Sequence, residues 1–439
     1  MRKITLVAAL ATVLGSQAAV AGKPSVAIQD LNPEEKLGRS IYKDEQLSLN
    51  RNQSCESCHT LHTVPVKEDG NKAVVQQSAS FVDPDNAMKG TPVSDGSVTT
   101  LFGGLNSPST GYAAFSPEFH FDGDLFIGGQ FWNGRAALLR DQAKGPFTNP
   151  VEMAMPDRPS VVARLQENPD YLEQFISVYG IDLAAVQTDG TDPAGVQAAY
   201  HAMSLAIEAF ERSAEFNRFN SKFDFVENGV TDYTASEERG ADLFDAVCAN
   251  CHEGTREDEF GNMIQGVMTD FSYDNIGVPE NVNIAAGIQP ALEDNPMVTA
   301  LGGKPADEEG KQKVMTLRNI ELTPPYMHNG VLKTLEQVVH FYNTRDTKPR
   351  VCVDNNDPGF GIDCWPVSEF PNNINTEELG DLGLSVQDEA DIVAYLKTFT
   401  DGYPGTGDPN VPKGSEPGYL YLPSEIMPAR PAPEVGSDR

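Results

Sequence analysis

The sequence predicts a mainly α-helical protein, built as two similar units joined by long loops, with little β structure. Three observations carry that prediction. The pentapeptide Cys55-Glu56-Ser57-Cys58-His59 has a counterpart in Cys248-Ala249-Asn250-Cys251-His252. Each is led by the same pattern, a glycine followed by an apolar and then an aromatic residue: Gly38-Arg39-Ser40-Ile41-Tyr42 and Gly240-Ala241-Asp242-Leu243-Phe244. Such an echo suggests a repeated structural unit. Finally, apolar residues recur at helical rather than alternating spacing in several segments.

The elements follow in chain order. Gly38–Tyr42 reads as the end of a short helix before the first pentapeptide. Residues 64–125 are rich in Gly, Ser, Asp and Pro and read as long loops. Helical periodicity returns over 160–178 and over 195–215, where Ala206, Ile207 and Phe210 take core spacing. Thr234 and Glu237 form a capping box opening the helix before the second pentapeptide. Residues 254–312 are again loop-like. Thr334 starts a helix through about Tyr342. A last amphipathic helix spans 386–399, with Ile392, Val393, Tyr395, Leu396 and Phe399 on its apolar side. After Gly402 the chain is Pro/Gly-rich.

Length and charge bound the function. The 439 residues accommodate two or three domains at about 150 residues each. A 39% hydrophobic composition excludes membrane-protein and collagen-like classes. Lys and Arg total 32 against 64 Asp and Glu, a net charge of -32. Phosphate backbones would repel such a surface, so no nucleic-acid partner is expected. The charge would steer a basic protein partner or serve solubility alone. Arg2 and Lys3, the apolar run Ile4–Leu14 and Ala19-Val20-Ala21 read as a signal peptide over 1–21. The run is shorter than the ~20 apolar residues that span a bilayer, and no later stretch spans one. The mature protein is expected to be soluble and exported, periplasmic, in an oxidising compartment.

The cysteines carry the chemistry. In C-x-x-C-H the two thiols can form thioethers to one haem, and the adjacent His becomes its proximal ligand. Cys55, Cys58 and His59 would hold one haem c, and Cys248, Cys251 and His252 a second. The alternatives are one zinc site built from the four thiolates or two redox disulfides, and neither uses the histidines. Cys352 and Cys364 bracket a loop rich in Asn, Asp, Gly and Pro and read as a local disulfide.

Beyond the pentapeptides, the chain resembles the bacterial di-haem cytochrome c peroxidase and MauG family. Four blocks carry the likeness in order: Gln130-Phe131-Trp132-Asn133-Gly134-Arg135-Ala136, Asp141-Gln142-Ala143-Lys144-Gly145-Pro146, Asn149-Pro150-Val151-Glu152-Met153 and Leu317–Gly330. The resemblance covers about residues 30–400. It implies two cytochrome c-like haem domains: an N-terminal peroxidatic one over 22–220 and a C-terminal electron-transfer one over 221–402, followed by the tail 403–439. It places Glu152 over the first haem as the group that moves a proton between peroxide oxygens. A carboxylate suits that task, with Gln142 as a neighbouring donor; the alternative is a surface acid. It places Trp132 between the haems; the alternative is a buried core residue. Trp365, the other tryptophan, matches no block.

The sixth ligands set the subclass. Peroxidases of the family often carry a distal His sixteen residues after the first proximal His, and here that position is Val75. His62 is too near His59 to reach the opposite face, and His120 lies in an unmatched loop. The first haem is therefore expected to be five-coordinate and open. The family supplies a Met or, in its MauG-like branch, a Tyr fourteen residues after the motif histidine; from His328 that position is Tyr342. A phenolate favours oxidised iron. Met327 and Met315 are rival ligands, and a core role is the alternative for Tyr342. The resemblance also implies calcium, held by Asn106 and the carbonyls of Thr323 and Pro325.

The expected activity is that of a di-haem oxidoreductase reacting with hydrogen peroxide at the first haem and sharing the oxidising power with the second. Val75 and Tyr342 lean toward MauG-like oxidation of a protein partner. The alternatives are peroxide removal with electrons from a small cytochrome or copper protein, a plain di-haem electron-transfer cytochrome, and an oxygen-dependent di-haem oxygenase. Either a monomer or a homodimer fits the family.

Overall fold

A computed structural model of the chain describes residues 31–61, 64–65, 78–79, 81–257, 263–284 and 290–403. Residues 1–21, expected above to be a signal peptide, together with His62, Val75 and the residues beyond 403, lie outside the described residues. Within these, eight helices have nine or more residues: α1 (Pro33–Tyr42), α2 (Leu139–Thr148), α3 (Arg158–Gln166), α4 (Pro169–Tyr179), α5 (Pro193–Glu211), α6 (Ala235–Val247), α7 (Leu335–Thr344) and α8 (Val386–Lys397). Strand structure among the described residues is confined to five two-stranded ladders. The fold is mainly α, as the sequence predicts.

Local chemistry sets the helix starts. Asn32 and Glu35 form a reciprocal capping box at α1, Thr234 and Glu237 one at α6, and Ser385 and Asp388 one at α8. Thr334 accepts the Gln337 amide at the start of α7. The periodic stretch 160–178 is two helices rather than one. Asn168 precedes Pro169, which disfavours helical backbone at Asn168 and cannot continue α3. Asn168 instead caps α4 by accepting the Asp170 amide.

The repeated glycine has a packing cause. α1 crosses α5 so closely that a Cβ on Gly38 would lie 1.9 Å from the Ala206 carbonyl oxygen. α6 crosses α8 in the same way, with a Cβ on Gly240 placed 2.0 Å from the Asp391 carbonyl oxygen. The aromatic residue one turn later shares that face. Tyr42 meets Phe210 of α5 edge-on at 5.5 Å, and Phe244 meets Tyr395 of α8 at 5.3 Å. Two cores result, one running from Leu37 to Phe216 and the other from Phe244 to Phe399.

A buried cation ties the segments between these cores. Arg318 donates to both carboxylate oxygens of Asp224, each at 2.7 Å, to Ser221 at 3.1 Å and to the Gly266 carbonyl. The rings of Tyr112, Phe219 and Phe223 surround it. Beside it, Asp401 accepts from Tyr112 Oη at 2.9 Å and from Asn319 Nδ2 at 2.8 Å. Cys352 and Cys364 are joined as a disulfide.

Candidate haem sites

Each pentapeptide opens onto a cavity. The first, about 310 Å³, is lined by Cys55, Cys58 and His59. Helix α2 presents Leu139, Gln142, Ala143 and Pro146 to it, the i, i+3, i+4, i+7 spacing of one helix face. The turn after α2 adds Glu152, and the loop before it adds Trp132 and Arg135. The second cavity, about 230 Å³, is lined by Cys248, Cys251 and His252. Helix α7 supplies Leu335, Val338, Val339 and Tyr342 at the same spacing, and α8 adds Ile392 and Leu396.

The two cavities share a wall. Asn106–Ser109, Trp132 and Lys313–Thr316 line both. Trp132 is held there from three sides. Its Nε1 donates to the Asn106 carbonyl at 2.9 Å, its carbonyl accepts the Lys313 amide at 2.7 Å, and its ring lies 6.4 Å from that of His328.

The residues fit two covalently attached haems. All four thiols are free of disulfides, and each pair faces its own cavity. Cys55 and Cys58 line one cavity and Cys248 and Cys251 the other, so among the described residues the four thiols are not gathered at one point as a shared site of four thiolates would need. Burial pushes the Cys58, Cys248 and Cys251 thiols up to about 12. The pockets thus favour uncharged sulfur, as in a thioether. Burial lowers His59 to about 4 and also lowers His252, so both imidazoles are neutral. His252 Nδ1 lies 3.0 Å from the Met268 carbonyl oxygen, and His59 Nδ1 3.3 Å from that of Phe81. A proton held on Nδ1 leaves the Nε2 lone pair for iron. Both acceptor residues, Phe81 and Met268, have left-handed backbone, which turns their carbonyls toward the imidazoles.

The other candidates fall as follows. Glu152, Gln142 and Trp132 converge on the first cavity. Burial raises the Glu152 carboxyl, while the Arg135 guanidinium and a bond to Asn149 hold it down. Tyr342, Met315 and Met327 all line the second cavity, and the Tyr342 phenol lies within electrostatic reach of the Cys251 and Cys248 sulfurs. Asn106, Thr323 and Pro325 share its wall; the Asn106 amide nitrogen donates to the Pro92 carbonyl at 3.1 Å, so its oxygen is the atom left to face a cation. His120 reaches neither cavity and bonds the Glu118 carbonyl at 2.7 Å. His328 is engaged by Glu369 at 2.9 Å.

Sequence reasoning singled out neither Arg135 nor Glu211 nor Lys313. Arg135 sits inside a motif block, so its signal was present. Glu211 is buried on α5 against the first cavity, where burial and Glu208 push it up to about 8. Lys313 is a buried cation in the shared wall that donates to Ser116 and to the Gly129 carbonyl. Neither belongs to a pattern that a linear reading reveals.

Fold and sites together define a c-type di-haem protein with one haem pocket in each of two helical cores. Comparison with known proteins agrees. The family described as di-haem cytochrome c peroxidase matches residues 32–232. The chain is similar to methylamine utilization protein MauG of Paracoccus denitrificans, 35% identical over 83% of this chain and 88% of that one. It is 28% identical to the cytochrome c551 peroxidase of Nitrosomonas europaea over 94% of this chain and 96% of that one. The crystal structure of the diheme peroxidase BthA from Burkholderia thailandensis shares the fold, with a TM-score of 0.64 at 24% identity over 91% of this chain and 95% of that one. The chain belongs to the di-haem cytochrome c peroxidase/MauG family. It is an oxidoreductase that uses hydrogen peroxide, with two haem c groups as the family's cofactors. No helix among the described residues is long and apolar enough to cross a membrane.

Proposed function

We propose that the chain is an exported, MauG-like member of this family that works in the periplasm and turns peroxide's oxidising power on a protein partner. The observation that carries this reading is Tyr342 on the wall of the second cavity, which Cys248, Cys251 and His252 also line. The two haem domains span 22–220 and 221–402. Cys55 and Cys58 attach the first haem and His59 binds its iron; Cys248, Cys251, His252 and Tyr342 hold the second. When bound, the two haems supply the iron that peroxide meets and the store for its oxidising equivalents.

The chain's own residues do the rest. Glu152 is placed to take a proton from one peroxide oxygen and hand it to the other. Its mixed environment suits an acid–base role. Burial favours the protonated form, and Arg135 favours the carboxylate. Gln142, on the α2 face that lines the same cavity, offers its amide to orient the peroxide. Trp132, in the wall common to both cavities, passes oxidising equivalents between them. Asn106, Thr323 and Pro325 hold calcium at the second cavity. Tyr342, whose phenol burial raises, would hold the second haem's iron as a phenolate.

The test is an EPR spectrum of the purified diferric protein before and after one equivalent of peroxide. One high-spin and one low-spin signal, both fading on addition, are expected. Two low-spin signals that do not respond would show a closed first site. The protein would then be a peroxidase needing reductive activation, or an electron carrier.

A further inference from the structure

We propose that Trp365 is a second redox relay, linking Tyr342 at the second haem site to the exposed face of the Cys352–Cys364 loop. The proposal rests on the reading of the second cavity given above. Three rings stand in series, two of them on α7. Tyr342 lines the cavity, Phe341 meets it edge-on at 6.3 Å between centroids, and Trp365 meets Phe341 edge-on at 5.2 Å. Trp365 is 3% exposed, and its indole is the readily oxidised ring on the outer side of Phe341. Its N–H donates to Thr344 Oγ1 at 3.2 Å, so an acceptor already holds the indole proton.

The outer side of the ring belongs to the disulfide loop. Phe360 packs edge-on at 5.2 Å. A Cβ on Gly361 would lie 3.3 Å from indole Cη2, so backbone alone covers the six-membered ring there. The flanking residues of that loop face solvent: Val353 is 88% exposed and Ile362 73%. The indole thus lies one layer of backbone beneath an apolar surface that the disulfide pins in place.

The electron flow balances. Each peroxide reduced to two waters takes two electrons and two protons. With a partner docked, Trp365 passes those electrons inward one at a time and is restored by the partner. With no partner, the indole itself supplies both electrons and both protons while taking an oxygen atom from water. The sum is one peroxide and one indole giving one hydroxyindole and one water.

That last branch is the test. The intact di-haem protein is treated with small portions of peroxide, without a donor, in water enriched in heavy oxygen, and then mapped by peptide mass spectrometry. Trp365 is expected to gain oxygen from the labelled water. In Trp365→Phe, haem spectra and the initial peroxide response should be unchanged, and the oxidised state should decay several-fold more slowly. Trp365→Tyr should restore much of the decay, because tyrosine is oxidisable and phenylalanine is not. A ring needed only for packing would not separate the two variants. An unlabelled Trp365, or an unchanged decay in Trp365→Phe, overturns the relay. A wild-type protein whose haem spectra ignore peroxide overturns the MauG-like reading with its open first haem, and the relay with it.

Discussion

Replacing Glu152 by Gln separates proton transfer from architecture. The amide keeps the volume and can keep a bond to Asn149, but it cannot shuttle a proton. A positioned acid–base group contributes about 10²–10⁴ in rate. At 1.36 kcal/mol per tenfold, that is about 2.7–5.4 kcal/mol of barrier. The structure sets the sign of the accompanying stability change. Burial raises the Glu152 carboxyl above its ordinary value, so the folded state holds that proton more tightly than the unfolded chain does. This contribution is full below the ordinary carboxylate range and is lost as pH rises through the higher folded value. Above that higher value the ionised side chain weighs on the fold, and Gln relieves it. Glu152→Gln should therefore melt at or slightly above the wild-type Tm while its peroxide reaction slows by about 10²–10⁴. Stopped-flow absorbance at the Soret band, paired with thermal melts, reads both. A wild-type peroxide rate would refute the role, and a lowered Tm would trace the loss to misfolding. Arg135→Gln is the companion. Removing the cation that holds Glu152 down should move the acid limb of the pH–rate profile to higher pH, because the carboxylate is the form that accepts the proton.

Three further perturbations test other parts of the structure. Tyr342→Met should raise the second haem's midpoint potential by a substantial part of the roughly 0.8 V range that axial ligands span; an unchanged potential and EPR spectrum would remove Tyr342 from the iron. Gly240→Ala places a carbon 2.0 Å from the Asp391 carbonyl oxygen and should cost about 3 kcal/mol, read as a lowered denaturation midpoint, since overpacking typically costs about 1–3. Asp224→Asn leaves the Arg318 cation buried without its carboxylate and should cost about 3–5 kcal/mol; Arg318→Met combined with it should recover part of that loss in a double-mutant cycle.

The repeated part of the fold was legible because repetition has a physical cause. Gly38 and Gly240 are both required by a helix crossing that leaves no room for a Cβ, and the pentapeptides are tied to one chemistry by their spacing. The capping box at Thr234 and the cap at Thr334 were legible for the same local reason. What stayed hidden depends on burial rather than on pattern. The segment 106–109 looked like one more polar loop, yet it forms the wall between the cavities. Glu211 and Lys313 are ordinary charged residues until folding places them at a cavity. The split of 160–178 at Pro169 was missed because apolar spacing continued across the break, although the proline itself was visible.

The common wall built from Asn106–Ser109, Trp132 and Lys313–Thr316 has a consequence for measurement. Two centres divided by one layer of side chains and backbone feel each other's charge, so loss or gain of an electron at one shifts the other. As with coupled proton titrations, the observed steps then belong to the pair. A redox titration will return two midpoints for the molecule, and neither will be the property of a single haem. A substitution in this wall will move both midpoints together, whereas one in the outer wall of either cavity will chiefly move one. On the reading proposed above, oxidising power is held as a single two-electron unit, and the parts list does not divide along the boundary between the halves.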